Sequence, residues 1–265
     1  MWSASERYAV QGVHFILGII LARLLLPTDY GLVGMLTIFI ALSQTFVDSG
    51  FSSALIQKND CTETDYSTVF FFNIIIGILF YGILFISAPY IEEFYRAEGL
   101  SSLIKVLGIT VIISSFSMVH VSKLTIMIDF KTQAKASFIS VVVGGVLGVL
   151  LAFLGFGVWA LVIQALAITT FNTLLLWYFC RWMPLASFST SSFKSLFFFG
   201  SKLLATNLLN TFFKNIYIVI IGRAFSVQDL GYYTRAQQFQ KMPSENITKI
   251  LQRVTFPIMS SIKND

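Results

Sequence analysis

The chain has 265 residues, of which 56% are hydrophobic and only 12% are charged, with a formal net charge of +5. Soluble domains carry about a quarter charged residues, so this composition excludes an ordinary soluble protein and predicts a polytopic membrane protein. The apolar runs are continuous rather than alternating, which predicts an all-α fold. A positive excess in a membrane protein usually lies in its cytoplasmic loops, so the charge does not indicate a nucleic-acid partner.

Eight transmembrane helices are predicted. Their approximate ranges are 8–26, 30–55, 66–88, 101–121, 136–154, 158–179 and 196–221, followed by a helix that begins at Gly231. Pro27 is expected to end the first helix, Asp29 to cap the second, and Gly31 to allow close packing. The second helix is expected to be interrupted at Asp48-Ser49-Gly50, and Pro89 to end the third.

One motif of the chain is repeated. Arg23, Asp29 and Gly31 recur as Arg223, Asp229 and Gly231 at a constant offset of 200 residues, each time between two apolar runs. An ungapped repeat of this kind indicates duplication. Six helices separate the copies, so both have the same orientation, as in transporters built from parallel repeats.

The repeat predicts two lobes. Residues 1–192 form an N-terminal lobe of six helices, and residues 193–265 form the incomplete start of a C-terminal lobe. Because a symmetric bundle needs more helices than follow residue 193, the sequence is expected to be truncated or to represent a fragment. Lysine and arginine are concentrated in alternate loops, which places the N-terminus in the cytoplasm.

Polar residues follow one face of the seventh predicted helix. They are spaced by three or four residues, which places them on one helical face: Lys202, Thr206, Asn210, Lys214 and Tyr217. A charged side chain at the bilayer centre costs about 2.5–3.5 kcal/mol, so these residues indicate a cavity. Lysine near a helix end could instead extend to the interface, which suits Lys202 better than Lys214.

Two further helices carry matching polar faces. Arg7, Gln11 and His14 lie on the first helix, and Arg235 and Lys241 lie on the eighth. The basic groups suit phosphate or pyrophosphate, and the amide and hydroxyl groups of the stripes suit sugars. The polar faces therefore predict a water-filled cavity that binds an anionic, hydrophilic cargo.

Two acids are candidates for binding a coupling ion. Asp48 could bind a proton or a cation, or it could cap the interrupted end of the second helix. Glu245 could act in the same way, or it could pair with Lys241 one turn earlier.

Enzymatic chemistry has little support in the sequence. No phosphate-binding loop of the kind used for ATP hydrolysis is present. Glu92 and Glu93 form an acidic pair in a predicted outer loop, but the loop is too short to shape the site of a glycosyltransferase. Cys61, Cys180 and the two histidines show no metal-ligand spacing, so no metal or other cofactor is predicted.

A series of short motifs resembles one bacterial family. In chain order they are Trp2-Ser3-Ala4-Ser5-Glu6-Arg7, Leu21-Ala22-Arg23 through Asp29-Tyr30-Gly31, Asp48-Ser49-Gly50-Phe51, Asp129-Phe130-Lys131-Thr132, Gly155-Phe156-Gly157-Val158-Trp159 and Asp229-Leu230-Gly231-Tyr232. Together they are similar to the bacterial polysaccharide (O-antigen and capsule) flippases. Those proteins belong to the multidrug, oligosaccharidyl-lipid and polysaccharide exporter superfamily.

The resemblance implies twelve to fourteen helices in two lobes around a central cavity. It implies that an undecaprenyl-pyrophosphate-linked oligosaccharide moves from the inner to the outer leaflet of the bacterial inner membrane by alternating access. It also implies coupling to a proton or sodium gradient without ATP, and polysaccharide polymerase machinery as a partner. Three alternatives remain open at this point: an exporter of small amphipathic compounds, a membrane glycosyltransferase or polymerase, and an inactive fragment.

Overall fold

The computed structural model describes residues 2–48, 50–58, 61–185 and 188–240. These residues form helices and connecting turns, without a strand. The helices are α1 (Trp2–Leu24), α2 (Pro27–Asp48), α3 (Phe51–Gln57), α4 (Glu63–Tyr95), α5 (Leu100–Ser115), α6 (Met118–Ile126), α7 (Phe130–Phe153), α8 (Val158–Cys180) and α9 (Thr190–Ala224). A tenth helix, α10, is described over residues 227–240. The prediction of an all-α polytopic membrane protein is confirmed.

Six stretches within the described residues are long and apolar enough to cross a membrane. They are Pro27–Ile56, Glu63–Tyr95, Leu100–Ile126, Phe130–Phe153, Val158–Cys180 and Gly200–Ala224, and the shorter apolar stretch Val10–Leu24 precedes them. Two of these spans are interrupted. One consists of α2 and α3, with Gly50 in the left-handed region at φ 68° before α3, and the other consists of α5 and α6.

The interruption of the second predicted helix is confirmed, but the effect predicted for Pro89 was wrong. The helix continues through Pro89 to Tyr95 and ends at Arg96, which adopts a left-handed conformation with φ 54°. Proline removes one backbone hydrogen bond, and transmembrane helices tolerate this loss because neighbouring groups compensate for it. Consequently Glu92 and Glu93 lie in the last turns of α4 and not in a loop. The Glu92 carboxylate accepts hydrogen bonds from the backbone N–H groups of Gly99 and Ser101.

The two largest of the four apolar clusters among the described residues join most of the helices. The larger one joins α2, α4, α5, α8 and α9. At its centre are four fully buried residues, Met35, Leu36, Leu100 and Val111. The second joins α3, α4, α6 and the α8–α9 linker around Phe51, Leu55 and Trp182. Close approach of α7 to α8 depends on glycine: a Cβ on Gly148 would lie 2.8 Å from the Cβ of Gln164.

The α8–α9 linker is fixed to the start of α4 by polar contacts. Trp182 Nε1 donates a hydrogen bond to the Glu63 carboxylate, and Lys123 Nζ lies 2.8 Å from the same carboxylate. The hydroxyl of Ser67 accepts a hydrogen bond from the backbone N–H of Leu185. Both ion pairs of the described residues, Lys58–Asp65 and Lys123–Glu63, therefore lie at this end of the bundle.

Candidate substrate-binding cavity between the repeated helices

The two copies of the repeated motif have the same local structure. Asp29 Oδ2 accepts a hydrogen bond from the backbone N–H of Leu26 at 2.9 Å. Asp229 Oδ2 accepts one from the backbone N–H of Ser226 at 3.2 Å. Both aspartates lie in the first turn of a helix and bond back to the residue that precedes it, as in a capping box. Asp29 therefore stabilises the start of α2, as predicted, but from within the first turn rather than from the capping position.

The two motifs also pack directly on each other. A Cβ on Gly31 would overlap the backbone oxygen of Val227, and a Cβ on Gly231 would overlap the backbone oxygen of Pro27. Residue 31 corresponds to residue 231 in the repeat, and residue 27 corresponds to residue 227. The two contacts are therefore equivalent under the offset of 200 residues. The starts of α2 and α10 are therefore related by a local pseudo-two-fold axis, and the close packing predicted for Gly31 is confirmed.

Each first helix of a repeat packs against the second helix of the other repeat. Between α1 and α10, the rings of Phe15 and Phe239 meet edge to face at 5.7 Å. Between α2 and α9, the hydroxyls of Thr45 and Thr211 are 3.1 Å apart. The two repeats thus exchange partners across the axis.

A cavity of about 240 Å³ lies beside this axis, between α1, α2, α8 and α10. Its polar lining residues are His14, Tyr30, Gln164, Arg235 and Gln238. The prediction named His14 and Arg235, 221 residues apart in the sequence, and the structure places both in this one cavity.

Arg235 is the best-positioned group of the cavity. Its guanidinium lies 3.8 Å from the centre of the Tyr30 ring, which favours the cation by cation–π attraction. Nη2 donates to the backbone oxygen of Gly18 at 2.6 Å, and Nη1 donates to Gln238 Oε1 at 2.9 Å. The Tyr30 ring covers one face of the planar guanidinium and the two hydrogen bonds fix its plane, so its remaining N–H groups are suited to bind an anion.

The cavity lining combines this positive charge with an unsatisfied hydroxyl. Among the described residues that line it, Arg235 is the charged one and no carboxylate is present. The Tyr30 hydroxyl is buried and has no hydrogen-bond partner. A buried hydroxyl normally finds a partner, so the cavity offers a polar group to a ligand or to water. Tyr30 and Gln164 were missed by sequence reasoning, although Gln164 interrupts the apolar run of α8 and could have been noticed.

The other predicted site residues lie elsewhere. Lys202, Thr206, Asn210, Lys214 and Tyr217 are exposed on α9 and do not line this cavity. The face of α9 that includes Thr211 packs on α2. Gln11 lies on α1 one turn before His14. Arg7 lies in α1, but its side chain is outside what the structure describes, as are Lys241 and Glu245.

The remaining polar groups show no clustered metal site. No group of three or more His, Cys, Asp or Glu side chains that could hold a metal ion is found in the described part of the chain. His120 is fully buried, and its Nε2 lies 3.3 Å from the backbone oxygen of Trp182. It therefore belongs to the packing of the linker.

The family model for polysaccharide biosynthesis proteins matches residues 20–265. The chain belongs to the polysaccharide biosynthesis protein family. The resemblance inferred from the short motifs is therefore confirmed at the level of the family. No solved structure matches the chain significantly.

Relatives within this family have names from polysaccharide biosynthesis. The teichuronic acid biosynthesis protein TuaB of Bacillus subtilis is 30% identical over 99% of this chain and 55% of its own length. The succinoglycan biosynthesis transport protein ExoT of Rhizobium meliloti is 27% identical over 100% of this chain and 53% of its own length. The lipopolysaccharide biosynthesis protein WzxC of Escherichia coli is 24% identical, over 100% and 54% respectively. The chain thus spans about half the length of these relatives.

Proposed function

We propose that a protein containing this chain is a flippase for a lipid-linked oligosaccharide. It would move an undecaprenyl-pyrophosphate-linked O-antigen or capsule unit from the inner to the outer leaflet of the bacterial inner membrane. Membership of the polysaccharide biosynthesis family supports this proposal, as does the transport role in the name of the relative ExoT. Polysaccharide polymerase machinery would be a partner, and a proton or sodium gradient would drive transport without ATP.

The observation that carries the proposal is the crossed packing of the two repeats around a cationic cavity. Alternating access requires two lobes that can rock against each other at a shared interface. The Gly31–Val227 and Gly231–Pro27 contacts form such an interface at the starts of α2 and α10. With the N-terminus in the cytoplasm, these contacts lie at the outer side and would close it, so the substrate would enter from the cytoplasmic side.

The chemistry of the cavity suits the pyrophosphate of the substrate. Arg235 supplies charged donors, and His14, Gln164 and the Tyr30 hydroxyl supply further polar groups. A volume of about 240 Å³ is below that of a typical drug-sized pocket, so it suits a phosphate-sized group and not a whole oligosaccharide.

The sugars would then contact the exposed polar face of α9. Lys202, Thr206, Asn210, Lys214 and Tyr217 are exposed there and provide hydroxyl, amide and ammonium groups. Export of small cationic amphiphiles is less well supported, because the described cavity lining contains an arginine and no carboxylate.

Replacement of Arg235 tests this proposal. Loss of hydrogen bonds to a charged group costs about 1.5–3 kcal/mol, so Arg235→Ala should lower substrate affinity about 10- to 100-fold. Arg235→Lys should be intermediate, because lysine keeps the charge but loses the planar geometry. Surface polysaccharide would be quantified in a strain that lacks its own flippase, with membrane insertion measured through an epitope tag.

The matched control is Arg223→Ala, since Arg223 is exposed and does not line the cavity. Binding of undecaprenyl pyrophosphate to the purified variants, measured by native mass spectrometry, separates substrate affinity from export. Normal export and normal lipid binding by an inserted Arg235→Ala protein would contradict the assignment.

A further inference from the structure

Several buried polar atoms near the interruption between α2 and α3 have no partner. Oδ1 of Asp48, Oγ of Ser52 and both side-chain polar atoms of Asn73 are buried and make no hydrogen bond. Asn73 is 0% exposed. Buried polar groups are nearly always hydrogen-bonded, so a fully buried amide with two unsatisfied atoms indicates a missing partner.

Ring contacts place Asn73 at the level of the interruption. The rings of Phe46 and Phe80 stack with centroids 4.2 Å apart, and those of Phe51 and Phe72 are 4.9 Å apart. The α2–α3 span therefore runs antiparallel to α4, with residues 46–51 beside residues 72–80. This alignment places Asn73 within about one helical turn, or roughly 5.4 Å along the axis, of the end of α2.

The second interrupted span meets the first at the same depth. Gln44, one turn before Asp48, donates to the backbone oxygen of Thr110 at 3.4 Å and accepts from the Ser114 hydroxyl at 2.7 Å. A Cβ on Gly77, one turn after Asn73, would lie 3.0 Å from the Cβ of Ser115, where α5 ends. The ends of α2 and α5 thus lie together beside Asn73. At the end of α5, the carbonyls of Ile112, Ile113 and Ser114 already accept hydrogen bonds, so the unpartnered side chains are the groups left to a ligand.

We propose that Asp48, Ser52 and Asn73 form a binding site for a sodium ion. A carboxylate, a hydroxyl and an amide oxygen are the ligands that a hard cation prefers. The carboxylate supplies one negative charge, which a monovalent cation neutralises. The ion pairs of the described residues are Lys58–Asp65 and Lys123–Glu63, so no described basic group already neutralises Asp48.

A proton fits these groups less well than sodium. A proton would neutralise Asp48 alone and would leave the side-chain oxygen of Asn73 without a partner. A sodium ion held between the three side chains would coordinate one oxygen atom of each. The inference concerns ion binding by the bundle and does not rest on the identity of the transported lipid.

The test compares the thermal stability of the purified full chain in sodium chloride and in N-methyl-D-glucamine chloride at equal ionic strength. Sodium at about 100 times its Kd should raise the Tm by about 5 °C or more. Asp48→Asn and Asn73→Leu should remove this sodium-dependent rise. Equilibrium binding of radioactive sodium to the same proteins provides a direct second measurement.

Two further variants keep the test decisive. Ser52→Ala removes one ligand with little change in volume, so it should fold and should weaken sodium binding about 3- to 10-fold. Glu98→Gln is the matched control, because Glu98 is an exposed acid far along the chain from the site, and it should keep the full rise.

Each remaining outcome overturns the proposal. Equal Tm values in the two salts, without binding of radioactive sodium, would exclude the site. A full rise in Asp48→Asn would place the ion elsewhere. A Tm that depends on pH but not on sodium would assign Asp48 to a proton. These measurements contain no saccharide, so they can fail or succeed independently of the export assay.

Discussion

The glycine contact between the two repeats can be tested by adding a single methyl group. In Gly31→Ala the new Cβ would overlap the backbone oxygen of Val227 and lie 2.9 Å from its carbonyl carbon. Carbon atoms pack best at about 3.5–4.0 Å, so the contact with the carbonyl carbon alone requires the facing backbone to retreat by roughly 0.6–1 Å, and relief of the overlap with the oxygen requires more. Because the obstacle is backbone, it cannot rotate away as a side chain would.

The expected loss of stability follows from two opposing effects. Overpacking of this kind costs about 1–3 kcal/mol, and the fixed backbone places the cost near the upper end. Alanine improves helix propensity over glycine by about 1 kcal/mol. The net destabilisation is therefore about 2 kcal/mol, which lowers the Tm by about 4–8 °C for a chain of this size.

Thermal unfolding of the purified protein in detergent measures this effect. The matched control is Gly82→Ala, because a Cβ on Gly82 would have nothing within 4 Å. The control should be as stable as the wild type or slightly more stable. The double variant Gly31→Ala, Gly231→Ala should lose less than the sum of the single losses, since both open the same interface. A Gly31→Ala protein as stable as the control would refute the proposed contact.

Three further predictions concern other parts of the chain. Thr62→Ala removes half of the capping box at the start of α4, where the Thr62 hydroxyl accepts from the backbone N–H of Asp65. It should cost about 1 kcal/mol of unfolding free energy in a denaturant titration, and no change would show that the box does not stabilise α4. The hydrogen bonds donated by the Thr132 hydroxyl and backbone N–H hold the pKa of Asp129, between α6 and α7, below its usual range. This contribution is present above the unfolded pKa and is lost as the pH falls through the folded pKa. The Tm values of wild type and Asp129→Asn should therefore differ at pH 7 and converge as the pH falls through the lowered pKa; a constant difference would contradict this cause. Lys214→Ala should abolish polysaccharide export while the protein still inserts, and normal export would remove Lys214 from the proposed sugar-binding face.

The sequence predicted those features that depend on local signals. The break after Asp48 and the close packing of Gly31 follow from the conformational needs of glycine. The joint position of His14 and Arg235 was predicted because polar faces on apolar helices must meet somewhere inside the bundle. These predictions needed only the positions of glycine, helical periodicity and the repeat.

Other features depend on packing that the sequence does not show. Pro89 did not end α4, because the effect of proline in a membrane helix depends on what surrounds it. The role of Tyr30 was missed because an aromatic residue at a helix start usually belongs to the core, whereas here its ring faces the Arg235 guanidinium. The polar residues of α9 form the predicted stripe, yet they do not line the cavity that contains Arg235.

The reciprocal contact between the repeats has the form of an isologous dimer interface inside one chain. In a dimer with two-fold symmetry, one mutation alters both halves of the interface at once, because the subunits are identical. Here positions 31 and 231 are encoded separately, and so are positions 27 and 227. A change at one position therefore breaks the symmetry of the contact, and two independent changes are needed to restore it. The two halves of the interface are accordingly expected to evolve as linked pairs offset by 200 residues.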